Sequence, residues 1–432
     1  MLHALLLFDM RSRYVMKPAR VPNARRLLAA CACVALTACG SLVDLHLLSA
    51  RDLPPEETVA HTRKLRIQVI NTMLDLVATH YVDAGRMDAV TVATWRATLM
   101  AEALDLEDEA FWRRLDQQLG LLADSHTRLM SPSQVRMRST SWSPGLGGEP
   151  EFSGHAGDSN ALGLRITRVQ AGSAASQQGV QAGWRLRRVG GENFGTAWAR
   201  AVAAGRAEST ARATHERALQ HLWQASGPPW LLVFDSPEGV VRSVTLAETA
   251  ITPQVNRNAD GVFHVSLPSI DTEGYETLAR PLREPLSALV LDLRGNRGGS
   301  GDMALRMLGL FVEGAPLVAR LQTRNGAAIR RGVTTIVPLD LHVTPRTSAY
   351  FNGPLTVWID SGTASAAELL AAGLQMLGRA RIVGSPSCGC MNPSLGWMNL
   401  PGGAQILISE ARAPLADGTV IEGQGVQPHE AP

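Results

Sequence analysis

The chain has 432 residues, 45% of them hydrophobic, with a formal net charge of +2 at pH 7. This apolar content is enough for two or three hydrophobic cores, and it excludes a fibrous or disordered chain. The positive charge belongs to the first 38 residues, because without them 35 basic and 38 acidic residues remain. With no basic stripe left, we expect no nucleic-acid partner.

The N-terminal segment has the pattern of a secretory signal. Arg25 and Arg26 precede an apolar run over residues 27–38. A run of this length is too short to cross a bilayer as a helix, whereas a basic stretch followed by a short apolar stretch is typical of a signal peptide. We therefore predict a lipoprotein signal peptide over residues 1–38 and a tether over 39–60.

The end of this segment resembles the bacterial lipoprotein box, in which small residues precede a cysteine that receives lipid. Here the small residues lead to Cys39. Because acyl chains anchor a protein through buried CH₂ groups, the resemblance implies a membrane anchor at Cys39 and a location facing the periplasm. Gly40 and Ser41 favour the outer membrane. An ordinary cleaved signal with a coincidental cysteine is the alternative.

The next segment, residues 61–138, predicts a helical domain. Apolar residues such as Leu65, Val69 and Met73 recur at three- and four-residue spacing, which is the periodicity of an amphipathic helix. Near the end of this segment the sequence reads DSHT at residues 124–127.

Residues 139–250 predict an α+β module that resembles a PDZ domain. The segment LGLRI at 162–166 alternates as a strand would, and a small-residue turn, a short helix, a glycine turn and a second strand follow. PDZ domains bind peptide tails at a sheet edge, so the resemblance implies that Leu162, Gly163 and Leu164 bind peptide. Trp184 departs from the usual pattern, and a small insertion without a peptide role is the alternative.

Residues 251–432 alternate strand and helix patterns and predict an α/β core. The apolar run at 288–293 is typical of a strand buried on both faces. A later strand at 355–359 runs into DSGTASAAE at residues 360–368 and then into a helical pattern, which places Ser365 at a strand-to-helix turn. Helix N-terminal N–H groups stabilise an oxyanion, but serine is also a favoured cap, and on this evidence alone the cap is the better interpretation.

Three segments together resemble the tail-specific and tricorn family of serine peptidases. They are GTASAAE at 362–368, DLRGNRGG at 292–299 and LADSHT at 122–127. The resemblance implies an α/β serine-peptidase core of the ClpP/crotonase type, and Ser365 as a nucleophile that cleaves polypeptides, with the PDZ-like module presenting their C-terminal tails. It also implies an oxyanion site made by the N–H groups of Ala366 and of Gly299 or Gly298.

The general base is the point on which the family divides. Tail-specific members use a lysine twenty-five residues after the nucleophile, where this chain has Cys390, and Lys64 is the only lysine after the leader. The tricorn-like arrangement instead implies His126 as the base, assisted by Ser125 and Glu422. Ser125 as a turn cap and Glu422 as a solvent-facing residue are the alternatives.

Cys388 and Cys390 are the cysteines that follow Cys39. They could pair, although a bridge across one residue is expected to be strained, or they could simply replace the residues that other members carry in this loop. The sequence has no metal-binding or dinucleotide motif, and we expect no metal and no cofactor. A non-catalytic binding protein on the same fold, and an esterase for small acyl esters, are the alternative functions.

Overall fold

The computed structural model describes residues 55–136, 143–152, 162–331, 334–346 and 350–431. The predicted signal peptide, the lipidation site Cys39 and most of the tether lie outside the described residues. The predicted tether, residues 39–60, extends too far, because a helix already begins at Pro55. Residues 63–432 group into one unit. None of the described helices is long and apolar enough to cross a membrane.

The first part of the structure is helical, as its periodicity predicts. Its elements are α1 (Pro55–His80), α2 (Ala89–Glu102), α3 (Asp108–Gly120), β1 (Arg128–Met130) and α4 (Pro132–Arg136). Asp88 begins α2 by accepting a hydrogen bond from the Thr91 N–H, which is the usual role of aspartate at an N-cap. Met73 in α1 and Leu115 in α3 are fully buried in one apolar cluster.

The helical part does not have a core of its own. Ile406 and Met398, from the C-terminal part of the chain, belong to the same apolar cluster as α1 and α3. They reach it because β1 pairs antiparallel with a strand at Gln405–Leu407. The Ser125-His126 segment, which precedes β1, is thereby held against the C-terminal part of the chain.

The middle part is an antiparallel sheet covered by helices. Its elements are β2 (Leu146–Phe152), β3 (Leu162–Val169), α5 (Ala174–Gln177), β4 (Arg185–Val189), β5 (Glu192–Asn193), α6 (Phe194–Ala203), α7 (Ala211–Ser226), β6 (Trp230–Asp235) and β7 (Val241–Leu246). The strand order is β2-β3-β4-β6-β7, with β5 paired to β4. Buried Phe194, Trp230 and Phe234 fill its core.

This order corrects one prediction from the sequence. Leu162, Gly163 and Leu164 lie in β3, which pairs with β2 on one side and with β4 on the other. Leu164 has partners in both β2 and β4, so a peptide cannot add to the sheet there, and the prediction is wrong for this residue. Leu162 and Gly163 pair with β2, so any peptide that bound them would have to add on the β4 side. The edge strand next to them is β2. Alternation identified the strand correctly but carries no information on which strand is outermost.

The last part contains the parallel sheet that positions the candidate nucleophile. Its elements are β8 (Gln254–Arg257), β9 (Val262–Ser266), α8 (Thr272–Ala279), β10 (Ala288–Asp292), α9 (Gly301–Leu308), β11 (Leu317–Thr323), β12 (Ile329–Arg331), β13 (Thr334–Ile336), β14 (Leu339–His342), β15 (Leu355–Ile359), α10 (Ala366–Met376), β16 (Arg381–Gly384), β17 (Met398–Asn399), β18 (Gln405–Leu407) and β19 (Ala411–Arg412).

The main sheet has the order β16-β15-β10-β9-β8, and all of its neighbours are parallel except β8 and β9. Leu291 and Val357 are fully buried, whereas their strand neighbours Val290 and Trp358 are only partly buried. The apolar run at 288–293 therefore does not lie in a strand that is fully buried on both faces, as its sequence predicted, because alternate residues face a side that is only partly covered. The adjacent strands β10 and β15 end at the same edge. Parallel sheets bind ligands beyond the carboxyl ends of their strands, and both the glycine loop and Ser365 follow strands at this edge.

Candidate active site

Ser365 lies in a sharp turn between β15 and α10. Its backbone has φ 56° and ψ −123°, a left-handed conformation that residues other than glycine rarely adopt. An ordinary N-cap serine has an extended backbone, so capping does not account for this conformation. Strained backbone of this kind is concentrated at functional sites. Ser365 is also the N-cap of α10 and forms a capping box with Glu368, so the two interpretations are not exclusive. The backbone conformation supports a nucleophile in addition to the cap.

Glu368 holds the nucleophile turn in place. Its carboxylate is fully buried and accepts four hydrogen bonds. Oε1 accepts from Ser387 Oγ at 2.6 Å and from the Gly389 N–H at 2.7 Å, and Oε2 accepts from the N–H groups of Ser365 at 3.0 Å and Cys390 at 2.9 Å. Burial raises the pKa of Glu368, and these donors oppose that effect. One side chain thus ties the turn at 365 to the loop at 387–390.

Glu368→Gln is expected to lower the free energy of unfolding by about 3 kcal/mol. The reason is that the glutamine NH₂ group, a hydrogen-bond donor, would then face other buried donors that the carboxylate of Glu368 now accepts. The amide nitrogen must face either Gly389 N–H or both Ser365 N–H and Cys390 N–H. Urea unfolding measures the change. Glu313→Gln, on an exposed loop, is the control. A Glu368→Gln protein as stable as the wild type would show that this network does not hold the turn.

The glycine loop after β10 packs directly on the nucleophile turn. A Cβ on Gly298 would lie 2.7 Å from the Ser365 Cβ and 2.9 Å from the Ala366 nitrogen. The Gly298 N–H already donates to Asn296 Oδ1 at 2.8 Å, whereas the N–H groups of Gly299 and Ala366 have no acceptor among the described residues. Of the candidate oxyanion donors, Gly299 and Ala366 are therefore the pair that is available to a ligand.

Ser365, His126 and Ser125 line one pocket of about 160 Å³ beside this turn. The spacing of these residues in the sequence does not predict that they share a pocket, since residues 125–126 lie at the end of the helical part, far from Ser365 in the chain. No hydrogen bond joins Ser365 Oγ to the His126 ring among the described residues, and such contacts often form only when substrate binds. The predicted nucleophile and the predicted base therefore line the same pocket but are not hydrogen-bonded to each other.

His126 is held as a neutral imidazole. Burial lowers its pKa to about 4; Asp124 opposes this shift and Arg128 adds to it. The backbone N–H of His126 donates to Asp124 Oδ1 at 2.9 Å, which fixes the segment. Nδ1 is buried and has no hydrogen-bond partner within the described ranges. A neutral imidazole is the form that accepts a proton from a serine hydroxyl.

Glu422 reaches Ser125 through a residue that the sequence analysis missed. Ser209 Oγ donates a hydrogen bond to Glu422 Oε1. The same oxygen accepts a hydrogen bond from the Ser125 N–H at 2.9 Å, and the Ser209 N–H donates to Ser125 Oγ at 3.0 Å. Glu422 also accepts from the N–H groups of Met391 and Asn392. Burial raises the pKa of Glu422 to about 7, and Asp124 acts in the same direction. No motif pointed to Ser209, because it lies between α6 and α7 of the middle part.

Cys388 and Cys390 form a disulfide in the wall of the same pocket. Cys390, which occupies the position of the lysine in tail-specific proteases, has its Sγ 3.4 Å from Ser125 Oγ. The Cys390 carbonyl accepts the Ser365 N–H at 3.0 Å. Helix α7 packs on the disulfide through Ala213, and Thr210 Oγ1 donates to the Cys388 carbonyl at 2.6 Å. The bridge therefore takes the place of the lysine rather than supplying a base.

A buried ion-pair cluster joins the middle part to the nucleophile turn. Arg168 of β3 pairs with Asp360 and with Glu216 of α7. Asp360 Oδ1 in turn accepts the N–H groups of Gly295 at 2.8 Å and Gly362 at 3.0 Å. The glycine loop and the nucleophile turn thus share one carboxylate. In the part of the chain that the structure describes, no group of three side chains is arranged to hold a metal ion.

Comparison with known proteins agrees with this geometry. Residues 262–431 match peptidase family S41. The chain carries a peptidase family S41 domain. S41 peptidases are serine-type hydrolases, so the candidate nucleophile lies in a domain of the class that the three sequence segments implied.

Two curated relatives carry names from this family. The chain is 26% identical over 357 residues to a carboxyl-terminal-processing protease of Picosynechococcus, covering 78% of this chain and 76% of the relative. It is 27% identical over 171 residues to the carboxy-terminal processing protease CtpA of Bacillus subtilis, covering 36% of this chain and 33% of the relative. The longer match extends well beyond the S41 domain.

Solved structures show the same fold. The photosystem II D1 C-terminal processing protease aligns with a TM-score of 0.54 at 18% identity, covering 85% of this chain and 93% of that one. Mature CPAF in complex with lactacystin aligns with a TM-score of 0.56 at 14% identity, covering 86% and 94%. The predicted α/β serine-peptidase fold is therefore confirmed. Whether the middle part is a PDZ domain stays a prediction.

Proposed function

We propose that this protein is a serine endopeptidase that cleaves polypeptides through an acyl-enzyme on Ser365, with His126 as the general base. The observation that carries the proposal is the strained Ser365 turn, which lines the same pocket as His126. The nearby N–H groups of Gly299 and Ala366 have no acceptor among the described residues. The S41 domain and the names of its relatives support it.

The chemistry follows from these positions. Ser365 Oγ attacks the scissile carbonyl carbon while His126 takes the hydroxyl proton, and the Gly299 and Ala366 N–H groups bind the oxyanion. The C–N bond then breaks, and His126 returns the proton to the leaving amine. Water attacks the ester in the same way and releases the new carboxyl end. Ser209 and Glu422 hold Ser125, which lies beside His126 in the chain.

A peptide pool tests the proposal. The soluble chain from Gly40 onward is incubated with mixed peptides of about ten residues, and products are identified by mass spectrometry beside a His126→Ala variant. Endopeptidase products from the wild type and their loss in the variant are expected. Cleavage that persists in His126→Ala would remove the base from the mechanism. A folded wild type that cleaves nothing would favour the binding-protein alternative.

The pH dependence distinguishes His126 from Glu422. Since the pKa of His126 is lowered to about 4, the imidazole is neutral above that pH and protonated below it. We expect kcat/KM to fall as the pH drops through about 4, rather than through 6.5 as for an unperturbed histidine. Rates measured between pH 3 and 8 check this. A fall near pH 7 that disappears in Glu422→Gln would assign the essential ionisation to Glu422 instead.

We further propose that the protein acts in the cell envelope, lipid-anchored through Cys39, and that the middle part presents substrate tails. The support is the sequence of the first 41 residues and the order of elements in the middle part. Metabolic labelling with an alkyne fatty acid tests the anchor. Incorporation that is lost in Cys39→Ser is expected, and equal incorporation in both proteins would overturn it.

A further inference from the structure

We propose that the pocket beside Ser365 recognises a carboxylate of the peptide substrate through Arg128, assisted by Arg297, which lines the same pocket. This inference rests on the proposed peptidase function and adds a substrate class to it. The carboxylate comes either from an acidic side chain close to the scissile bond or from the free C-terminus of the peptide.

Arg128 carries the argument because no carboxylate of the described residues lies within ion-pair distance of it, although Glu208 and Asp116 act on it from further away. It lines the pocket together with Ser365 and His126. Its Nε is buried and has no hydrogen-bond partner among the described residues, and its guanidinium lies over the Trp397 ring, 5.3 Å from the centroid. Removing a charged group from water without pairing it costs several kcal/mol, so buried charges are normally paired. The missing partner of Arg128 is best supplied by a ligand.

The neighbouring arginines leave the pocket short of negative charge. Burial lowers the pKa of Arg128 to about 9, and Arg217 adds to this effect. Arg297 is half exposed and lies 3.8 Å from Glu216, its nearest ion-pair partner. A carboxylate bound in this pocket would therefore meet the positive charge of both Arg128 and Arg297.

The acidic residues of the pocket do not fill this role. Glu208 is held by Arg206 at 3.4 Å and by Arg217 at 2.9 Å. Glu216 is held by Arg168 at 3.3 Å and accepts from Ser361 Oγ at 2.6 Å. Each of these carboxylates already has two partners. An incoming carboxylate therefore meets arginine N–H groups rather than uncommitted negative charge, and arginine is well suited to bind it in a bidentate manner.

The test compares peptides that differ in one charge. A substrate found in the pool is resynthesised with Glu or Gln at each of the three positions on either side of the scissile bond, and with a free or an amidated C-terminus. We expect one of these carboxylates to raise kcat/KM about 10- to 100-fold over its neutral counterpart, as for a hydrogen bond to a charged group. A Glu/Gln difference identifies a side chain, and an acid/amide difference identifies the C-terminus.

Variants assign the preference to the pocket. Arg128→Gln is expected to abolish the preference, and Arg297→Gln is expected to reduce it. Because Arg128 also lowers the pKa of His126, the ratio of charged to neutral peptide within each variant is compared rather than its absolute rate. Arg306→Gln is the control, since this exposed arginine pairs with Asp302 in α9. Because Arg297 is half exposed, its variant decides the question if Arg128→Gln does not fold. No preference in the wild type, or an unchanged preference in both variants, would overturn the proposal.

A binding measurement separates this proposal from the peptidase proposal. Fluorescence anisotropy with Ser365→Ala compares the affinities of the Glu and Gln peptides, or of the acid and the amide, without any turnover. Tighter binding of the charged peptide that Arg128→Gln removes would support the carboxylate site even if the wild type cleaved nothing. Equal binding beside active cleavage would sink the carboxylate site and leave the peptidase standing.

Discussion

Ser365→Ala is expected to lower kcat/KM for peptide cleavage about 10⁴-fold or more, with the fold intact. The expectation follows from the loss of the atom that forms the acyl-enzyme, and catalytic serines typically act on this scale. The oxyanion donors Gly299 and Ala366 remain, so weak residual catalysis is compatible with the mechanism. The rates are measured with a quenched fluorescent peptide, and a fluorophosphonate probe reports covalent reaction at Ser365.

Ser365→Gly extends this test to stability. At φ 56° a serine is strained, whereas glycine adopts this conformation freely. We expect Ser365→Gly to be equally inactive but about 1 kcal/mol more stable than Ser365→Ala, as measured by urea unfolding. Ser236→Ala, in a remote turn, should leave activity and probe labelling unchanged. Probe labelling of Ser365→Ala at the wild-type level would place the nucleophile elsewhere.

The sequence predicted those parts of the site that are local in the chain. The segment at 360–368 follows a strand and precedes a helix, so the position of Ser365 in the fold could be inferred from hydropathy and turn chemistry. The glycines at 298–299 follow the neighbouring parallel strand for the same reason. Since adjacent parallel strands end at one edge, their meeting was also predictable.

Contacts between distant segments could not be inferred in this way. Ser209 is 84 residues from Ser125 and 213 from Glu422, and no spacing rule relates such positions. Glu368 was visible in the sequence motif, but its role depends on four donors that converge only in the fold. The assignment of peptide binding to Leu164 failed because alternation identifies a strand and not its neighbours.

Contacts between the middle part and the candidate site indicate how the middle part can affect catalysis. Helix α7 contacts the disulfide loop, and Arg168 of β3 is bonded to Asp360, which holds both loops of the oxyanion site. Any movement of this sheet therefore displaces groups that touch the Ser365 turn. The candidate active site is assembled from all three parts of the chain, although the S41 match covers residues 262–431.

Gly298→Ala is expected to reduce kcat/KM at least about 100-fold, the loss that accompanies removal of one oxyanion donor. The added Cβ would lie 2.7 Å from the Ser365 Cβ, 2.8 Å from the Ala364 carbonyl oxygen and 2.9 Å from the Ala366 nitrogen, and φ is +96°. Backbone atoms cannot yield as a flexible side chain can. The nucleophile turn must move away from the glycine loop, which separates Ser365 Oγ and the Ala366 N–H, both in the turn, from the Gly299 N–H in the loop.

Gly301→Ala is the matched control. Gly301 lies three residues further along the same loop, begins α9, and has no heavy atom within 4 Å of an added Cβ. Alanine is the better helix former, so this variant should keep full activity and gain slightly in stability. Equal activity of the two alanine variants would show that close packing of the glycine loop on Ser365 is not required. We expect a loss confined to Gly298→Ala, and we expect it in kcat rather than in KM. A lower kcat with an unchanged KM would mean that the contact between Gly298 and the Ser365 turn stabilises the transition state and does not contribute to ground-state binding of the peptide.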